Sequence, residues 1–202
     1  MIRVAVLGAT GATGRLMVSA ALDRGLAVTA LARDPARVPD RPGLTVVAAD
    51  VGDPASVARA VDGCDVLVSG LGVPKGSPPG TLTLGAAAVV AAAVPRIVWL
   101  GALGTGPSGP AAGAVTRALL KVAMSAELPD KVEADTTILA AGGTVLHVGP
   151  LVGGKAAAAR TVPLEQAPRR LFPSTVSRST VAAAMVEEAV RNRYPGQVVT
   201  LV

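Results

Sequence analysis

The chain has 202 residues, is 50% apolar and 16% charged, and carries a formal charge of +5. That composition can bury a sizeable core, so it excludes a disordered chain and fits one domain spanning 1–202. One cysteine (Cys64), one histidine (His147) and three aromatic residues exclude an internal disulfide, a Cys- or His-rich metal site and nucleic-acid binding through stacked rings.

Ile2–Leu7 is a short apolar run ended by glycine, which predicts a strand buried on both faces. Arg15–Arg24 follows as a helix, with Leu16, Met17, Ala20 and Ala21 on one side and Gly25 as its stop. Leu26–Ala32 is the second strand. Asp34–Pro35 then opens a short helix, the acid as N-cap and the proline at the first helical position. Leu44–Ala49 is the third strand, and Asp53–Pro54 repeats the start signal for a helix that Gly63 ends.

Asp65–Ser69 is the fourth strand. A Gly/Pro loop, Gly70–Gly80, leads to an Ala-rich helix at about Thr81–Val94 and a fifth strand, Arg96–Leu100. Two helical stretches come next, Ala111–Ser125 and Asp130–Ala141, stopped by Gly142–Gly143. Thr144–Val148 is the sixth strand. A loop to about Val176 precedes an amphipathic helix, Arg178–Arg191, and Gln197–Val202 closes as the last strand. Strands separated by helices of this length predict an α/β chain, a doubly wound, mostly parallel sheet of six to seven strands with helices on both faces.

The strongest chemical signal is Gly8-Ala9-Thr10-Gly11-Ala12-Thr13-Gly14, between the first strand and the first helix. Gly8 turns the chain sharply off the strand. Gly11 leaves room for a pyrophosphate at the backbone, and Gly14 lets the helix pack close to the sheet. The helix N-terminus offers N–H groups to the anion, with the Thr10 and Thr13 hydroxyls nearby. In its strand–loop–helix setting this motif predicts a single-domain Rossmann fold that binds a dinucleotide.

The residue after the second strand selects the dinucleotide. An acid there would accept hydrogen bonds from a ribose 2′-hydroxyl. This chain has Arg33 at that place and Arg37 one helical turn on, and a guanidinium suits a 2′-phosphate by charge and by its fork geometry. Asp34 serves instead as a helix cap. NADP is therefore expected over NAD.

These residues resemble the atypical short-chain dehydrogenase/reductases, in particular the compact NAD(P)H-binding group of NmrA-like and biliverdin reductase B-like proteins. The resemblance runs over nearly the whole chain. It is carried by Val6–Gly14, Ala32–Arg37, Ala49–Asp53, Asp65–Gly72, the Ser177-Arg178-Ser179 helix start and the closing strand. It implies that Asp50 and Val51 lie at the adenine, and that the turn Gly70, Leu71 and Gly72 lies under the nicotinamide ribose.

The chain also departs from that family. Its best-known members use Ser, Tyr and Lys, with Tyr-x-x-x-Lys on one helix face so that the ammonium lowers the phenol's pKa. Here Glu127 stands where the tyrosine would, four residues before Lys131, and Gly101-Ala102 replaces a serine pair at the end of the fifth strand. Lys131 and His147 remain as candidate catalytic groups. Lys131 either reaches the ribose hydroxyls or the substrate, or is a surface lysine. His147 ends a strand on the side where α/β sites lie, and either protonates substrate or is structural. Thr105 and Ser108 offer hydroxyls from the loop after the fifth strand, while Trp99 and Cys64 read as core residues.

The expected function is NADPH-dependent reduction of a small conjugated or aromatic molecule. The alternatives are an NADP-binding redox sensor without turnover and a non-redox, isomerase-like enzyme on the same fold. The scattered cations form no basic stripe for nucleic acid. No stretch supplies the ~20 continuous apolar residues of a membrane span, and MIRVAVLG enters a strand at once with no leader pattern. A cytoplasmic monomer or homodimer with a small-molecule substrate is the expectation.

Overall fold

A computed structural model describes residues 2–73, 79–109, 127–168 and 174–202. The chain alternates β1 (Arg3–Leu7), α1 (Ala12–Leu22), β2 (Ala27–Ala32), β3 (Leu44–Ala48), α2 (Pro54–Ala60), β4 (Val66–Ser69), α3 (Thr81–Ala91) and β5 (Ile97–Ala102). It continues with α4 (Leu128–Ala140), β6 (Thr144–Val148), β7 (Leu151–Val152), β8 (Thr161–Pro163), β9 (Val176–Ser177), α5 (Arg178–Arg191) and β10 (Val198–Leu201). The helix expected at Ala111–Ser125 lies outside the described residues.

Among the described residues, eight strands form one sheet in the order β3-β2-β1-β4-β5-β6-β10-β8. All neighbours are parallel except β8, which runs antiparallel to β10 with Thr200 opposite Val162. The chain crosses from β3 past β1 to β4, so the order reverses between β1 and β4, as in a Rossmann fold. The expectation of six to seven strands is thus short by one. β8 has only three residues and ends in Pro163, too short and too proline-limited to show period-two patterning. The expected loop up to Val176 also holds β7, which pairs with β9 in a separate two-stranded ladder.

Two apolar layers sandwich the sheet, and the strands supply both by alternation. Val4, Val6, Val66, Val68 and Leu146 face Met17 and Val18 of α1 and Val181, Met185 and Val186 of α5. Ala5, Leu7, Leu67 and Val145 face Val57, Leu82, Val89 and Ile138 of α2, α3 and α4. Trp99 is buried in this second layer, as a core residue. Continuous apolar runs such as Val4–Leu7 are what burial on both faces demands.

Side-chain caps fix several helix starts. Asp34 accepts from the Ala36 N–H at 3.2 Å, Asp53 from Ser56 N–H at 3.3 Å, and Ser177 from Thr180 N–H at 3.1 Å. The helix at Asp34–Pro35 is a single 3-10 turn, Pro35–Arg37. α1 begins at Ala12, three residues before the predicted start, because Gly11 is its N-cap and the end of the glycine motif is already helical.

Candidate functional site

The carboxyl ends of β1 and β4 lie side by side, Leu7 opposite Ser69. Two turns leave from them in contact. Gly8 takes φ +76°, and a Cβ on it would stand 3.0 Å from the Gly70 carbonyl. Glycine is therefore required there twice over, by backbone angle and by space. The Gly11 N–H closes the turn onto the Gly8 carbonyl at 2.9 Å. A Cβ on Gly14 would fall 2.1 Å from that carbonyl oxygen, so only glycine lets α1 press against the loop.

The N-cap residue of α1 is Gly11, which brings no side chain to cap the helix. Gly11 and Ala12 are exposed, Thr10 is half-buried, and Thr13 is buried beneath them. This helix start, with a glycine as its N-cap, suits the pyrophosphate of a dinucleotide, whose oxygens would take the N–H groups of the first turn. Gly70 donates its N–H to the Leu7 carbonyl at 3.0 Å, Leu71 donates to Ser69 Oγ at 3.3 Å, and Gly72 is exposed. The Gly8–Gly14 loop and the Gly70–Gly72 turn therefore form one cradle.

The other expected cofactor residues share the same edge of the sheet. β1, β2 and β3 run parallel with Leu7 opposite Leu31 and Ala32 opposite Ala48. Arg33 and Asp50, just past β2 and β3, therefore leave the sheet on one side, and Arg37 follows within the 3-10 turn. Both arginines are exposed. Asp50 Oδ1 accepts the Gly52 N–H at 2.8 Å, while the Asp50 N–H donates to Ser56 Oγ at 3.0 Å, which shapes the turn that holds Val51 half-buried.

Glu127 is exposed just before α4, and its carbonyl accepts the Lys131 N–H at 3.0 Å. Lys131 is half-buried one turn into the helix. Its neighbour Asp130 reaches across to α3 and accepts from the Leu82 and Thr83 N–H groups at 3.0 and 2.8 Å and from the Thr83 hydroxyl at 2.7 Å. Partial burial pushes the Asp130 carboxyl up, but the Thr83 hydroxyl, the two N–H groups and the Lys131 charge outweigh it and hold the group below the usual carboxylate range.

His147 does not face solvent. It is fully buried, with Nδ1 at 2.6 Å from Ser108 Oγ and Nε2 at 2.9 Å from Asp135 Oδ2. Ser108 is also fully buried and Asp135 is 1% exposed. Since an ionised carboxylate only accepts, the Nε2–H donates to Asp135. Gly101 makes room for the ring, because a Cβ there would lie 2.4 Å from His147 Cδ2. Asp135 is the residue that sequence reasoning missed. A signal existed: it lies on the buried stripe of α4 between Ala134 and Ile138, an acid where the helix shows an apolar face.

Ser108 ties this cluster to the loop after β5. Its Oγ accepts the Gly104 N–H at 2.8 Å and lies 3.0 Å from the Thr105 carbonyl, while the Leu103 N–H donates to the Val148 carbonyl at 2.9 Å. Leu103 in turn lines a cavity of about 320 Å³ at the carboxyl ends of β6 and β10, with Val148, Leu164, Val176 and Leu201. That volume and apolar lining suit one small organic molecule. Cys64 is elsewhere, buried against Thr29, and burial pushes its thiol up.

Comparison with known proteins agrees with this cradle. Residues 8–192 match the model of the NAD(P)H-binding family. A protein of Burkholderia pseudomallei described as exported shares 28% identity over all of both chains, with a TM-score of 0.81. The anaerobillin reductase ChuY of Escherichia coli O157:H7 is 22% identical over 99% of this chain and 96% of its own, with a TM-score of 0.80. The oxidoreductase YlbE of Lactococcus lactis is 19% identical over 99% and 90%, with a TM-score of 0.81. The last two likenesses speak for the fold. No helix among the described residues is long and apolar enough to cross a membrane. With the match covering the glycine cradle and running on into α5, the chain belongs to the NAD(P)H-binding family, whose ligand is a nicotinamide dinucleotide.

Proposed function

We propose that the protein is an NADPH-dependent reductase of a small conjugated molecule such as a quinone or flavin. When bound, the reduced nicotinamide supplies a hydride. Gly8, Thr10, Gly11, Ala12, Thr13 and Gly14 hold the pyrophosphate, and Asp50 and Val51 border the adenine. Arg33 and Arg37 take the 2′-phosphate, and Gly70, Leu71 and Gly72 support the nicotinamide ribose. The acceptor occupies the cavity walled by Leu103, Val148 and Val176, beyond the half of the sheet that carries the nicotinamide in a Rossmann fold.

One observation carries the substrate class. Among the described residues, His147 is sealed against Ser108 and Asp135 and Glu127 stands at the tyrosine position, which leaves Lys155 as the titratable side chain lining the cavity. Lys131 orients ribose or substrate by charge. An isolated ketone needs a proton as hydride arrives, and general acid help is typically worth 10²–10⁴-fold. Conjugated acceptors spread the incoming charge and collect a proton from water later.

The Gly101-Ala102 pair in place of hydroxyl residues also favours a second reading, an NADP-binding redox sensor without turnover. Calorimetry with NADPH and NADH, followed by absorbance at the NADPH band with a panel of quinones, flavins and aliphatic ketones, decides between them. Preferential NADPH binding with quinone or flavin turnover is expected. Tight binding without oxidation makes the protein a sensor, and equal affinity for the two dinucleotides removes the role given to Arg33.

A further inference from the structure

The Asp135–His147–Ser108 cluster is too buried to meet substrate, yet it ends on the loop that walls the cavity. Each link is short. Asp135 on α4 receives the His147 Nε2–H at 2.9 Å, His147 Nδ1 meets Ser108 Oγ at 2.6 Å, and the same Oγ accepts the Gly104 N–H at 2.8 Å. Gly104 follows Leu103, whose own N–H is held by the Val148 carbonyl at 2.9 Å. Leu103 is thus gripped from both sides.

The ring has little freedom. The two ring nitrogens are engaged, and the Gly101 backbone closes in beside Cδ2. The charged group facing the imidazole is Asp135 from α4. The Ser108 hydroxyl faces it from the loop, and β5 presents the Gly101 backbone. A buried network with every member satisfied holds one geometry firmly, and the geometry held here is that of the cavity wall.

We infer that Asp135, His147 and Ser108 are positioning residues that fix Leu103 against the acceptor, so that they set acceptor affinity and do not deliver the proton. This rests on the reductase reading above. A wall displaced by a fraction of an ångström loosens the fit of a flat acceptor, while the cradle at Gly8–Gly14, on other strands, is left as it was.

The test uses the full chain with NADPH and menadione as acceptor. Asp135→Asn keeps the side chain's shape and replaces the carboxylate with an amide. Ser108→Ala removes the hydroxyl that holds Gly104. Both variants are expected to raise KM for menadione by about tenfold, with kcat and the NADPH Kd within about twofold of the parent. Because the chain has one histidine, nitrogen NMR on histidine-labelled protein reads this imidazole alone. Asp135→Asn should move the Nε2 signal and Ser108→Ala the Nδ1 signal.

A fall in kcat at unchanged KM overturns the inference and makes the network a proton relay. Lowered thermal stability with unchanged kinetics overturns it too, leaving a purely structural cluster. If the parent protein reduces no acceptor, the reductase reading is what has failed. Amide hydrogen exchange then judges the clamp alone: lost protection confined to 103–109 in Ser108→Ala supports it, and unchanged exchange there overturns it.

Discussion

His147 Nε2 and Asp135 Oδ2 stand 2.9 Å apart, joining β6 to α4 behind the loop that follows β5. A carboxylate 1% exposed has to be compensated, and the imidazole does so. Removing the ring by His147→Ala leaves that buried carboxyl without its hydrogen-bond partner, at a cost of about 1–3 kcal/mol in stability. Turnover at saturating acceptor should nonetheless fall by less than about tenfold, below the loss of an essential acid. Thermal unfolding and steady-state assays on the folded variant measure the two effects separately. Efficient reduction of an aliphatic ketone, abolished by the same substitution, would show that the histidine is the proton donor.

Arg33 is proposed, with Arg37, to hold the 2′-phosphate. Arg33→Ala should cost NADPH about 1–3 kcal/mol of binding as a lost charge-assisted contact and leave NADH almost unaffected. Calorimetry with both dinucleotides reads the difference directly. Equal losses for the two would move the phosphate elsewhere.

Gly14→Ala attacks the cradle itself. The new Cβ would sit 2.1 Å from the Gly8 oxygen and 2.7 Å from its carbon, both backbone atoms that no rotamer change can move aside. Dinucleotide binding should be lost by at least about a hundredfold, with a stability loss of about 1–3 kcal/mol from overpacking. Fluorescence titration with NADPH checks the first and thermal unfolding the second.

These positions differ in how visible they were in the chain. The glycine loop announced itself because each glycine answers a local demand, a reversed backbone angle or a contact between neighbouring turns. The amphipathic pattern predicts a helix over Arg178–Arg191, and α5 keeps those bounds. The Asp135–His147–Ser108 cluster was hidden for the opposite reason. Its members come from a helix, a strand and a loop, and no spacing along the chain says that a strand histidine will meet a helix aspartate. Asp130 was hidden likewise, since it serves the start of α3, 47 residues upstream of it at Thr83.

Asp130 gives a pH signature. Its carboxyl titrates lower in the folded chain than in the unfolded one, where ~3.9 is usual. Its contribution is therefore complete above about pH 4 and fades as pH falls through the lower folded value. Asp130→Asn should cost about 1 kcal/mol at pH 7, comparable to losing a helix cap, and the gap to the parent should close in acid. Denaturant unfolding across pH 2–7 tests this. A gap that widens in acid would reverse the assignment.

Cys64 is 6% exposed and its thiol is pushed up by burial, so little thiolate reaches solvent. A thiol reagent at pH 8 should label the native protein at least about a hundredfold more slowly than the denatured chain. The ratio reports global opening, since the chain has one cysteine. Rapid labelling of folded protein would place the thiol nearer the surface.

The three-residue strand β8 shapes how copies of the chain can meet. It closes the sheet beside β10 with an antiparallel stub that ends at Pro163, a residue with no N–H to give. A short stub with a missing donor is a poor template for another chain's backbone. Continuous cross-molecule sheets, the usual route from a soluble α/β chain to fibrils, are therefore blunted on that side. Any self-association there has to be built from side chains.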